Sequence, residues 1–288
     1  MTRREIMLAA VVSLAVAGCS RRRVAPPTPV GAARVVSVAP STTEALFAIG
    51  AGHEVVGRSR FCDWPPEAMK LPAIGGWVDV DLEAILQLLP DLVVGASGPS
   101  SVRLADALGA RGIATWFPEV DSLASIDAMI LGLGERTGRS VDARGVRDEI
   151  DARTAALERA VAAEPAPRVL TVLGLTPVVA AGPGSFLDEL VRRARGANVL
   201  TGGGPWQTLG VERLVELDPD VVLDASMGSD AGRSRITAQA PGWADLRAVR
   251  EGRVASMDER VPRPGPRVAE SLAQIARTLH PRAVLPAW

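Results

Sequence analysis

The chain has 288 residues, of which 47% are apolar and 23% charged, and its net charge is −1. That length holds two domains of ordinary size, each with a real core, and the balanced charge excludes a basic nucleic-acid surface. Two cysteines, Cys19 and Cys62, exclude a disulfide framework, and two histidines, His53 and His280, argue against a converging metal site.

The chain opens as an export leader. Arg3 and Arg4 precede an apolar run over residues 6–17, and Val16-Ala17-Gly18-Cys19 supplies a small-residue end. The run is too short for a permanent membrane span. The VAGC end is similar to a bacterial lipobox, in which Cys19 is lipidated and becomes the first mature residue; ordinary signal cleavage is the alternative. Residues 20–33, with three Arg and three Pro, read as a flexible tether.

RVVSVA (34–39) predicts a buried strand. PSTTEALFAIG predicts a helix with a Ser/Thr N-cap, Glu44 in its first turn and a stop at Gly50 and Gly52. EVVG predicts a second strand. RSRFCDWPP (58–66) is a loop, because Pro65 and Pro66 forbid helix and constrain Trp64. GGWVDVDLEAILQLLPDLVVGAS (75–97) then reads as a Gly-rich turn presenting Trp77. A short helix follows, opened by Asp81 with Glu83 in its first turn, then a PD stop and a buried strand. A helix over 101–108, a strand over 113–116 and a helix over 122–137 continue the alternation expected of a parallel sheet covered on both faces. Residues 140–164 contain no Pro and only five Val, Leu or Ile, which predicts one long helix of about 37 Å crossing between lobes.

A second alternation follows. RVLTVL (168–173) echoes the first strand, and 185–194 predicts a helix. GPWQTLGVERLVELDPDVVLDAS (204–226) then repeats the 75–97 unit at a constant offset of 129 positions. Trp206 matches Trp77 and Glu212 matches Glu83. Residues 241–257 give a short helix, a turn and a strand, and 266–279 the closing amphipathic helix. The expected fold is α/β: two Rossmann-like lobes with mainly parallel sheets, joined by one long helix. Its divisions are a leader over 1–19, a tether over 20–33, an N-terminal lobe over 34–139, a bridging helix over 140–165 and a C-terminal lobe over 166–288.

Trp77, Trp206 and Trp64 fall on loops at the strand–helix rim, where open α/β sheets carry ligands. Core anchoring is the competing reading for each. Trp116 is divided between the two, Trp243 reads as packing and Trp288 as idle. Glu83 and Glu212 each suit the dipole of a helix start as well as a partner contact. Cys62 reads as a buried thiol and Ser185 as a helix cap. Arg260, Arg263 and Arg267 are either solvated or meet an acidic ligand. No phosphate-binding loop occurs, and no nucleophile–base pair is visible, so neither nucleotide use nor covalent catalysis is expected.

SVAPSTTEALFAIG, FCDWPP, GGWVDVDLEAILQLLPDLVV, GPWQTLGVERL and RPGPRVAESLAQIARTLHP together resemble the periplasmic binding proteins of ABC importers that carry a single helical backbone between their lobes. That family carries cobalamin, haem, siderophores and some metals, and the likeness is greatest to its cobalamin-binding members. The resemblance implies capture of cobalamin or a related corrinoid in the inter-lobe cleft, with a ferric siderophore or haem as the alternative. It implies delivery to a membrane permease dimer driven by a separate ATPase. A lipid-anchored monomer in the cell envelope is expected, with no enzyme activity, resident cofactor, metal or nucleic acid. Glu83 and Glu212 stand where one Glu per lobe meets Arg residues of the permease. Trp77 and Trp206 stand where aromatic side chains line the cleft, and Phe61, Asp63 and Trp64 match a Tyr-x-Asp-Tyr-like loop that lines it too. This chain has no Tyr, and its 258–267 segment carries arginines where cobalamin binders carry aromatics; Arg260 joins the expected ligand contacts.

Overall fold

The computed structural model describes residues 30–76, 79–226, 234–240 and 242–288. Its N-terminal lobe alternates strand and helix: β1 (Val35–Ser37), α1 (Pro40–Ala48), β2 (Val55–Arg58), α2 (Leu82–Gln87), β3 (Leu92–Val94), α3 (Ser101–Gly109), β4 (Ala114–Trp116) and α4 (Leu123–Thr137). The four strands are parallel in the order β2-β1-β3-β4. α5 (Ser140–Val161) follows, 22 residues long and about 33 Å by helical rise. The C-terminal lobe holds β5 (Arg168–Leu175), β6 (Val178–Ala181), α6 (Phe186–Arg193), β7 (Ala197–Asn198), β8 (Trp206–Leu209), α7 (Val211–Leu217), β9 (Val221–Asp224), α8 (Arg247–Arg250), β10 (Val254–Ser256) and α9 (Val268–Leu279). Its sheet runs β10-β9-β5-β6-β8, with β7 also pairing β5.

The alternation forecast for both lobes is present, as is the long helix between them. Two local readings need correcting. α1 has no side-chain N-cap: Pro40 sits at its start, Ala39 is the cap, and the Thr42 and Thr43 hydroxyls donate back to the Ala39 carbonyl. Proline fits there because a first-turn N–H has no helical partner to lose. Glu44 consequently lies beyond the first turn. The other correction concerns Trp206, which opens an edge strand rather than sitting in a loop. β6 and β8 form an antiparallel pair, Ala181 facing Trp206, grafted onto the parallel β5–β9–β10 set.

The repeated unit rests on a shared clamp. Leu89 (φ 47°) and Asp218 (φ 33°), equivalent in the repeat, both turn the chain through the left-handed region after the helix. Asp91 accepts from the backbone N–H of Ala33 and Arg34, and Asp220 from that of Arg168. Arg34 Nη2 donates to the Leu88 carbonyl at 2.6 Å, and Arg168 Nη2 to the Leu217 carbonyl at 2.6 Å. Each lobe thus ties the start of its first strand to the end of the repeat helix, capping carbonyls the helix leaves open.

α5 buries one narrow stripe, Ala143, Ile150, Thr154, Leu157 and Val161. It packs on α4 in one lobe and on α6 and α9 in the other, within a single apolar cluster that spans both lobes. Gly134 is required at the α4 contact, since a Cβ there would stand 2.5 Å from the Ala143 Cβ.

Asp127 on α4 is half-buried at this junction, near Asp151 on α5 and Glu189 on α6. Burial first, then Asp151, pushes its carboxyl up to about 6; Arg147 and Arg193 oppose the shift. A raised carboxyl binds its proton more tightly when folded, so its support for folding is full below about pH 4 and fades as pH rises through 6. Asp127→Asn is expected to unfold at higher denaturant than the parent at pH 7.5, by about 1 kcal/mol once exposure is discounted. The gain should vanish near pH 4; equal stabilities at pH 7.5 in urea titrations would refute it.

Candidate functional site

The cleft is located by which chain ends meet. After β2 the chain runs into 59–66, and after β10 into 257–267. Asp63 from the first segment pairs with Arg263 from the second, and Glu44 on α1 pairs with Arg267. The carboxyl ends of the two sheets therefore face each other, the end at which open α/β sheets bind ligands.

α1 and the 59–66 loop are fastened by a buried hydroxyl–thiol group. Ser37 Oγ lies 2.8 Å from Thr42 Oγ1 and 2.8 Å from Thr43 Oγ1, and Thr43 Oγ1 lies 3.0 Å from the Cys62 sulfur. Burial pushes the Cys62 thiol up, as befits a packed structural cysteine. With Cys62 held inside, its neighbours Phe61 (49% exposed) and Trp64 (42%) stand outside.

Asp63 accepts from both terminal nitrogens of Arg263, Nη2 to Oδ2 at 3.0 Å. The Arg263 hydrogen bond holds the Asp63 carboxyl below its usual range. Arg267 Nε donates to Glu44 Oε2 at 2.8 Å, its Nη2 reaches Oε1, and its guanidinium lies 4.9 Å from the Trp64 ring centre. Arg260 pairs with Asp258 of its own segment. The three arginines, expected either to be solvated or to meet an acidic ligand, are instead matched to carboxylates of the chain. Trp64, Glu44 and Arg267 also border a pocket of about 350 Å³ along α5, with Phe47, Val146 and Ile150 among its walls.

Trp206 stands at the other edge of the C-terminal sheet, 41% exposed, with Phe186 edge-on at 6.5 Å. β7 pairs with the start of β5, so α6, which precedes β7, begins at the cleft end, and Phe186 is its first residue. Ser185 caps that start, accepting from the Asp188 N–H. The same reasoning puts the starts of α2 and α7 on the cleft-side rims, because β3 and β9 then run parallel to β1 and β5. Glu83 and Glu212 are each the second residue of their helix and exposed. Trp77 and Cys19 lie outside the described residues. Trp243 is in the C-terminal core, and Trp116 is half-buried beneath the Arg136 guanidinium at 4.0 Å.

Several groups at the cleft were not singled out from sequence. Glu189 on α6 accepts from the Leu123 backbone N–H at 3.1 Å, joining the lobes through the start of α4. Asp224, at the end of β9, is fully buried and accepts from the Ser226 N–H at 3.0 Å and from the hydroxyls of Ser226 and Ser234. The repeat carries a signal for it: Asp224 stands where the first copy has Gly95, and a Cβ there would lie 2.5 Å from Val38 Cγ2. No cluster of three or more His, Cys, Asp or Glu able to hold a metal occurs among the described residues.

A Vitamin B12-binding protein of Salmonella typhimurium is 28% identical over 200 residues, covering 69% of this chain and 74% of that protein. An ABC transporter substrate-binding lipoprotein of Bacillus subtilis is 25% identical over 269 residues, 86% of this chain and 80% of its own length. The crystal structure of a periplasmic heme-binding protein from Pseudomonas aeruginosa superposes with a TM-score of 0.78 at 26% identity, covering 89% of this chain and 95% of that one. These relatives are binding proteins rather than enzymes. The sequence pattern of the periplasmic binding proteins matches residues 35–261, and with two α/β lobes facing across a cleft and joined by one helix, the chain belongs to that family.

Proposed function

We propose that this chain, the substrate-binding component of an ABC importer, captures cobalamin or a related corrinoid between its lobes and presents it to the permease. The observation that carries the reading is the lining of the cleft edge. Phe61, Trp64 and Trp206 are left about half exposed there, while Arg267 beside Trp64, and Arg263 beyond it, are matched to carboxylates of the chain. A corrin is a broad, largely apolar ring with neutral amides at its edge, and it gains from aromatic walls and little charge. Trp77 joins Trp206 in this role through its place in the repeat, and Asp63 and Arg260 supply polar contacts at the rim. The B12-binding relative supports the same ligand. Haem or a ferric siderophore is the second reading, favoured by the likeness to the Pseudomonas haem-binding structure.

Calorimetric titration of the purified protein with cyanocobalamin tests the proposal. Binding is expected, and Trp206→Ala should weaken it by about 10- to 100-fold, the loss of one stacked ring. No binding of cyanocobalamin at about 50 µM, with haemin or a ferric siderophore bound, reverses the order of the two readings. Lipidation at Cys19 would hold the chain at the membrane of the envelope; the Bacillus relative, a lipoprotein, supports this. Among the described residues no helix is long and apolar enough to cross a membrane. Mass measurement of the membrane-extracted protein decides it: an unmodified Cys19 removes the anchor.

A further inference from the structure

The carboxylates that match Arg263 and Arg267 come from the opposite lobe. Asp63 and Glu44 belong to the N-terminal lobe, while the arginines follow the last strand of the C-terminal lobe. Arg263 is the more surrounded of the two. Asp63 takes both of its terminal nitrogens, Glu44 lies 3.8 Å away and Glu259 3.7 Å away. Arg263 is the less exposed partner and Asp63 the more exposed, so a ligand meets the carboxylate before it meets the guanidinium.

We propose that Asp63 is a specificity-determining residue: by occupying the Arg263 fork it cancels the fixed positive charge of the cleft, excluding carboxylate-bearing ligands and leaving the site to an uncharged ring. The inference rests on the corrinoid reading and names the group that enforces it. A guanidinium keeps its charge at every physiological pH and offers two parallel N–H donors that fit one carboxylate. Asp63 already fills that fork. A ligand carboxylate would have to displace it, or sit beside it and meet a like charge in a partly desolvated site. A neutral ring makes neither demand. Arg260 offers no substitute, because Asp258 engages its Nε and Nη2, and Arg267 is engaged by Glu44.

The test uses two tetrapyrrole-type probes of similar breadth: haemin, whose two propionates make it anionic, and cyanocobalamin, whose edge carries amides. Each is titrated into the purified parent and into Asp63→Asn, Arg263→Gln and the double variant Asp63→Asn/Arg263→Gln. Asp63→Asn is expected to bind haemin about tenfold more tightly than the parent, because the Arg263 fork loses the one carboxylate that fills it, Glu44 and Glu259 standing no nearer than 3.8 Å and 3.7 Å. The double variant should lose that gain. Arg263→Gln alone, which leaves Asp63 unmatched, should bind haemin at least about threefold more weakly than the parent, and it carries the test if Asp63→Asn does not fold. Unchanged haemin affinity in Asp63→Asn, a gain retained in the double variant, or no weakening in Arg263→Gln overturns the proposal. The corrinoid reading fails separately. If the parent ignores cyanocobalamin while the Arg263-dependent haemin gain appears, the ligand assignment falls and the charge screen stands. If cyanocobalamin binds and the gain is missing, the reverse holds.

Discussion

Arg267→Met is expected to lower the free energy of unfolding by about 3 kcal/mol at pH 7. Glu44, its partner, is only 4% exposed, and both of its carboxylate oxygens are engaged by the Arg267 guanidinium. Removing the arginine strands a carboxylate that water barely reaches, with Arg263 at 3.8 Å as its nearest remaining cation. Such a charge costs far more than an exposed pair is worth, since exposed pairs contribute about 0–1 kcal/mol. The stacking of Arg267 on Trp64 is lost as well, a smaller effect of about 0.5–1 kcal/mol. The cause can be isolated by also removing the stranded charge. In Glu44→Leu/Arg267→Met the two side chains become apolar neighbours, and most of the lost stability should return, because buried ion pairs are often replaceable by apolar groups of similar volume. Urea unfolding of the two variants gives the comparison. A loss below about 1 kcal/mol in Arg267→Met, or a double variant no better than the single, would show that the pair is not what holds this part of the lobe interface.

The Glu44–Arg267 pair marks the boundary of what the sequence discloses. Alternating apolar strands and helices were legible because each element carries its own period, and the duplicated Trp–Glu unit was legible because its two copies align without a gap. The clamp beneath that unit was not, because Arg34 meets Leu88 and Arg168 meets Leu217 only after the strand and helix have packed side by side. The sequence puts Glu44 in the first turn of its helix. Moving the helix start back to Pro40 carries it past that turn, and its real partner lies 223 positions along the chain. Asp63 and Arg263 are 200 positions apart, and no local pattern joins them. The β6–β8 pair escaped for a related reason: GLTPVVAAG and WQTL are short runs whose antiparallel pairing skips over a whole helix. Trp64 was easier to keep out of an α-helix, since the Pro that follows it disfavours helical backbone whatever the tertiary partners are.

The double variant Glu83→Gln/Glu212→Gln is expected to cut ligand uptake in cells by about tenfold or more while leaving the ligand affinity of the purified protein within about twofold of the parent. Both carboxylates are exposed at the second position of a helix that begins on the cleft-side rim, one rim per lobe. Their duplication alone does not separate docking from helix support, because a duplicated helix start duplicates its dipole partner too. Magnitude separates them. Removing a charge from an exposed first turn costs about 0.3–1 kcal/mol per helix, and Asp81 still caps α2 by accepting from the Ala84 N–H at 3.0 Å. That is too little to unfold a domain of ordinary stability, so a purified double variant should remain folded and bind. A membrane partner bearing one cation per subunit would feel both losses at once, and two contacts in one rigid body act together, so neither single variant should reach the effect of the pair. Glu83→Asp/Glu212→Asp keeps the charge and shortens the reach, and should recover part of the uptake. Uptake at the parental rate in the Gln double variant, at matched protein levels, would leave the two glutamates with their helix-start role and nothing more.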